Sequence, residues 1–150
     1  MKKKIIYIAD FSLPNQSAYT IHVLKMCDAF AKQNYDVSLV VFSKKKTNFN
    51  DLKIKFLLKN NFKIINIYKN KKKLNILRRI IFSFKILKFL NLQKNIKLIY
   101  SRSIVPSLIL AFSRYKNILE IHTEMKGITK IIFNLSYFLI KKKYISFVVI

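Results

Sequence analysis

Residues 2–42 constrain the fold most, because their parts arrive in the order of a β-α-β unit. Lys2 to Lys4 lead into Ile5-Ile-Tyr-Ile-Ala9, an apolar, β-prone run that stops at the carboxylate of Asp10. A polar loop over 11–16 holds one of the chain's two prolines. Ser17 is then placed to cap a helix whose apolar positions Ile21, Leu24, Cys27 and Phe30/Ala31 recur at helical spacing. Asp36-Val-Ser-Leu-Val-Val-Phe42 reads as a second strand, apolar on both faces as parallel strands are. Strand, helix and strand this close together imply a right-handed parallel crossover. Ligands of such sheets bind beyond the carboxyl ends of the strands, so the segment from Asp10 to Ser17 is expected to face a site.

The alternation continues downstream. A weak helix or loop over 51–60 precedes a third strand over 62–68, and 74–93 is the longest helical segment. A strand over 97–102, a helix over 105–115 with Pro106 in its first turn, and a strand over 117–122 follow. A helix over 128–140 and an apolar run over 144–150 complete the pattern. Alternating strands and helices predict an α/β domain, doubly wound around a mostly parallel sheet. With 52% hydrophobic residues the chain can fill a core, and its single cysteine fits a reducing compartment.

Three stretches carry a resemblance. Ser17-Ala-Tyr-Thr-Ile-His-Val-Leu-Lys-Met-Cys-Asp-Ala-Phe-Ala-Lys-Gln-Asn-Tyr-Asp-Val37 is similar to the opening of family-4 glycosyltransferases, which pair two Rossmann-like domains in the GT-B arrangement. Members commonly end this helix in a phrase of the type Ala-Phe-Ala-Lys-x-Gly-(Tyr/His)-(Asp/Glu)-Val. Asn34 stands at the glycine position, and asparagine is the commonest other residue for a left-handed helix end. Asn15-Gln16 stand where many members have paired glycines. Leu98-Ile-Tyr-Ser-Arg102 resembles the family's (Asp)-x-Ile-Tyr-(Ser/Thr)-Arg element, and Ile118-Leu-Glu-Ile-His-Thr-Glu124 resembles its Glu-x-His. The resemblance implies an amino-terminal, acceptor-side Rossmann-like domain of a retaining enzyme. Such an enzyme moves a hexosyl unit from a nucleotide-sugar to a hydroxyl acceptor in cell-envelope polysaccharide or glycolipid assembly. Members run at least twice this length, so the donor-binding domain is expected to lie outside this chain, and this portion alone is expected to be inactive.

His122 is the candidate catalytic residue. The resemblance sets it beside the acceptor and the transferred sugar, and a strand-end imidazole suits a hydroxyl or developing positive charge. A structural histidine is the competing reading. Arg102, at a strand end, offers a planar fork for a phosphate or sugar hydroxyl, unless it only caps a loop. Glu124 stands beyond the strand, where it can orient the imidazole or an acceptor hydroxyl. Asp10 binds an acceptor hydroxyl or caps its loop, and Ser17 lines the cleft at the helix start. Glu120 shares a strand face with His122. His22 lies about 100° from Ile21 on the helical wheel, at the edge of the core face; it either approaches the cleft or is a helix-flank residue, and the second reading is preferred. Cys27 reads as a small buried hydrophobe.

A single glycine removes the Walker loop and the Gly-x-Gly-x-x-Gly fingerprint, and no Gly-x-Ser-x-Gly elbow occurs. Two separated histidines and one cysteine form no spaced metal set, so no metal or other cofactor is expected.

The net charge is +24, from 30 basic and 6 acidic residues, and only four of the basic ones are arginine. Lysine runs at 2–4, 44–46, 71–73 and 141–143 suit an anionic membrane surface better than nucleic acid, which is not expected as a partner. In the 74–93 segment, Leu74, Leu77, Ile80, Ile81, Phe84 and Leu87 are expected to face the core. Phe82, Ile86 and Phe89, flanked by Arg78, Arg79 and Lys85, are expected to face outward, towards a membrane or a covering element. The apolar run over 131–140 is too short to span a bilayer. A cytoplasmic protein, peripheral at the inner face of the plasma membrane, is the expected setting. The rival reading is a non-catalytic basic α/β module that binds an anionic membrane or a partner protein.

Overall fold

The computed structural model describes residues 2–42, 47–67, 76–113, 115–121 and 145–149, with positions 127, 130, 131, 133 and 134 between them. Strand β1 (Lys4–Ala9) is the middle of the domain. From Ile5 onward every one of its side chains is buried, so both of its faces must be covered. It pairs in parallel with β2 (Asp36–Val41) on one side and β4 (Ile96–Ser101) on the other. Strand β3 (Lys63–Asn66) extends the β2 side, and β5 (Asn117–Ile121) and β6 (Ile145–Val149) extend the β4 side. The order β3-β2-β1-β4-β5-β6, with every described pairing parallel, is that of a doubly wound Rossmann-like sheet.

The two-residue period of β1 divides the core. Tyr7 and Ala9 point into a cluster with Val23, Leu24 and Cys27 of α1 (Ala18–Lys32) and Leu52 of α2 (Phe49–Lys55). Ile6 and Ile8 point into the opposite cluster, with Phe82, Ile86 and Leu90 of α3 (Ile76–Asn91) and Leu110 of α4 (Ile104–Ala111). Helix α1 begins as expected: the Ser17 hydroxyl accepts from the Thr20 amide at 3.3 Å. The same hydroxyl lies 3.0 Å from the Thr20 side chain, which lets Thr20 be buried. The buried stripe is therefore Thr20, Val23, Leu24 and Cys27, and Ile21, expected in the core, is 40% exposed. Asn34 takes the left-handed conformation (φ 64°) that its place after the helix calls for. The Asp28 carboxylate accepts from the amides of Lys59 and Asn60, fastening the loop after α2 to α1.

Helix α3 corrects the sequence expectation. Its core face is Phe82, Ser83, Ile86 and Leu90, with the Phe82 ring edge-on to Phe42 at 6.1 Å between centroids. Leu77 (61% exposed), Ile81 (38%) and Phe84 (60%) face outward, while Ile80, Leu87 and Phe89 are half-buried. The expected faces are thus reversed. A helix apolar on two sides offers no periodicity by which to choose between them. The one polar residue that spoke against the true core face is Ser83, and its hydroxyl donates to the Arg79 carbonyl at 2.7 Å within the helix, needing no outside partner. Leu74 and most of the helix expected over 128–140 lie outside the described residues. No helix among the described residues is long and apolar enough to cross a membrane.

The assignment of faces can be tested by truncation. Phe82→Ala should lower unfolding free energy by about 3–5 kcal/mol in denaturant titration. Phe84→Ala should change it by no more than about 0.5 kcal/mol, as surface substitutions do. A larger loss at Phe84 than at Phe82 would restore the faces expected from the sequence, and equal losses would contradict the assignment made here.

Candidate functional site

The chain leaves β1 towards β2 and β3 and later returns to lay β4 on its other edge. The carboxyl ends of β1 and β4 therefore flank the topological switch point, where parallel sheets open a crevice. Asp10 follows β1 directly, and Arg102 follows β4, tied in by its amide donating to the Ile8 carbonyl at 3.3 Å. Glu120 is the penultimate residue of β5, and the first turns of α1 and α3 reach the same edge.

Glu120 organises this edge. Its side chain is fully buried. One oxygen, Oε1, lies 2.9 Å from His22 Nε2 of α1 and 3.6 Å from Arg102 Nε. The other, Oε2, accepts from the Tyr7 hydroxyl of β1 at 3.2 Å. Burial, then the Glu120 charge, pushes the Tyr7 phenol far above its ordinary range. Tyr100, whose ring lies 5.1 Å from that of Tyr7, is pushed up to about 12 by burial, then by the charge of Glu120 and a hydrogen bond to it. Both phenols thus stay protonated and surround the carboxylate with neutral donors.

A second set adjoins the first. Asp10 accepts from the Tyr19 hydroxyl at 3.3 Å and pairs with Arg79 Nε of α3 at 3.2 Å. The Arg102 guanidinium lies over the Tyr19 ring, 4.6 Å from its centroid, so Tyr19 joins the two sets. Burial, and next the Asp10 charge, raises the Tyr19 phenol well above its ordinary value. The Arg102 side chain is 10% exposed, and its Nη1 has no hydrogen-bond partner among the described residues. Two of the chain's four arginines and two of its six acidic residues meet here, although carboxylates are scarce elsewhere. Alternating fixed charges at a crevice can orient a polyhydroxylated or anionic ligand by several directed bonds.

The structure brings Asp10 and Arg102 together, as their strand-end positions require. Ser17 caps α1 and is itself exposed, its hydroxyl engaged with Thr20. His122 and Glu124 lie outside the described residues. His22, read as a helix-flank residue, is drawn to Glu120. Sequence reasoning missed Tyr7, Tyr19, Arg79 and Tyr100 at the site, and missed Glu120 as its centre. The one available signal was a carboxylate set inside the apolar run Asn117-Ile-Leu-Glu-Ile. No group of three histidine, cysteine or carboxylate side chains converges to hold a metal among the described residues.

The fold and the site together define a Rossmann-like α/β domain with a charged cluster at its switch point. No protein-family model matches the chain, and no curated protein matches it.

Two measurements test the cluster. Glu120→Ala leaves Arg102 without its buried counter-charge and should cost about 3–5 kcal/mol of unfolding free energy. Alkaline stability checks the phenols. The Tyr100 pKa is raised in the folded state, so its contribution is complete below the ordinary value of 10.0 and is lost as pH rises towards about 12. Unfolding free energy should fall over that window, and less steeply in Tyr100→Phe; identical slopes would contradict the placement.

Proposed function

We propose that this chain is the acceptor-side domain of a glycosyltransferase of the two-domain type its sequence resembles. It works with a donor-binding domain outside these residues. The reaction moves a hexosyl unit from a nucleotide-sugar to a hydroxyl acceptor in cell-envelope polysaccharide or glycolipid assembly. The observation that carries this reading is the buried Glu120 carboxylate holding His22 and Arg102 at the switch-point edge formed by the carboxyl ends of β1 and β4. A glycosyl acceptor presents hydroxyls, and Asp10 and His22 are groups of the right polarity to hold one. Arg102, already over Tyr19 and steadied by Glu120, gives a directed cation for a phosphate or hydroxyl oxygen. In the transfer the acceptor oxygen bonds to the anomeric carbon. The bond from that carbon to the phosphate oxygen breaks, and the nucleoside diphosphate departs with the electron pair. The acceptor proton is released as the new glycosidic bond forms. His122 follows β5 two positions beyond Glu120, and by the resemblance it lies beside the transferred sugar and supports the positive charge developing there.

The test is nucleoside diphosphate release by the complete product of the encoding gene, screened over nucleotide-sugars with lipid-linked and soluble hydroxyl acceptors. Acceptor-dependent release is expected, with His122→Ala and Arg102→Ala lowering kcat about 100-fold or more. Lys55→Gln, exposed at the end of α2, should leave it unchanged. Absence of release from every donor, or release indifferent to both substitutions, would refute the reading.

A further inference from the structure

The outward stripe of α3 has a definite chemistry and a definite place. Leu77, Ile81 and Phe84 stand at i, i+4 and i+7, on one line along the helix, and Lys88 continues that line at i+11. Lys85 flanks it on one side. Three large apolar side chains are thus exposed on a single line, rather than scattered as surface hydrophobes usually are. Arg79, in the first turn of the same helix, pairs with Asp10 at the carboxyl edge of the sheet. The stripe therefore occupies the half of α3 nearest the candidate site.

We infer that this stripe docks the domain on an anionic lipid bilayer, with α3 lying in the plane of the interface. The apolar side chains would enter the acyl boundary while Lys85 and Lys88 stay among acidic headgroups, which is how interfacial amphipathic helices bind. Charge complementarity selects the occupant. The chain carries +24 overall, mostly as lysine, and each cation near an acidic leaflet adds about 1 kcal/mol of attraction. Nucleic acid would satisfy the lysines but leave Leu77, Ile81 and Phe84 in water. Docked this way, the crevice sits close to the membrane surface. The docking face does not depend on the transferase reading and can fail or stand apart from it.

The chain contains no tryptophan, so one introduced indole reports a single place. Phe84→Trp labels the stripe. Ile54→Trp labels a residue 77% exposed on α2, across the sheet from α3. Each variant is mixed with vesicles of phosphatidylcholine and phosphatidylglycerol carrying brominated acyl chains. Fluorescence of the Phe84→Trp variant should shift to the blue and be quenched several-fold more than that of the Ile54→Trp variant. Leu77→Ser with Ile81→Ser, whose side chains are exposed and whose loss leaves the core intact, should lower vesicle partitioning about tenfold. Equal quenching of the two indoles, binding without quenching, or no binding would each overturn the inference. So would burial of the stripe's indole in a concentration-dependent dimer without lipid.

Discussion

A carboxylate taken wholly out of water costs several kcal/mol unless its surroundings return that energy. Glu120 meets the condition by drawing groups from several elements. Tyr7 comes from β1, Arg102 from the end of β4, Tyr100 from β4 itself and His22 from α1. Removing any one of these weakens the compensation of a buried charge, so the strand ends and the start of α1 are held in register by a shared electrostatic requirement. Hydrophobic packing of the two core clusters positions the sheet and helices. Glu120 then decides how their carboxyl edge is arranged.

The arrangement also explains why the second charged set can exist. Asp10 would be an awkward neighbour for the Glu120 carboxylate, and the Tyr19 ring and two guanidinium groups offset their repulsion. Arg79 answers Asp10 while Arg102 answers Glu120, so charges alternate along the carboxyl edge of the sheet. Tyrosine serves at three of these contacts because its hydroxyl donates without adding charge, and burial keeps it protonated. The site is thus preorganised before any ligand arrives. A ligand that completes the guanidinium nitrogen Nη1 of Arg102 gains without a large rearrangement.

Much of the fold was legible because strands buried on two faces read as continuous apolar runs and because Ser17 and Asn34 mark both ends of α1. Asp10 and Arg102 were legible for a related reason: polar residues at the ends of such runs must lie at the sheet's edge. What failed did so where local pattern is silent. The two apolar sides of α3 could not be ranked, since the choice rests on Phe42, Ile99 and Leu110, outside the helix's own sequence. The binding of Thr20 to Ser17 puts Thr20, in place of Ile21, at the start of the buried stripe of α1, which no apolar count records. Glu120 looked like one member of a strand face, and only the arrival of Tyr7, 113 positions away, reveals it as a centre. His122 and Glu124, the positions for which the resemblance speaks most directly, lie outside the described residues.

Glu120, His22 and Arg102 are held here to act as one unit. The most direct test is a double-mutant cycle on unfolding free energy, pairing Glu120→Gln with Arg102→Gln and, separately, with His22→Gln. Coupling of about 1 kcal/mol or more in both cycles is predicted, since each partner's value depends on the buried carboxylate. Additivity to within about 0.3–0.5 kcal/mol in both would mean that the three side chains are independent, and the organising role given to Glu120 would be wrong.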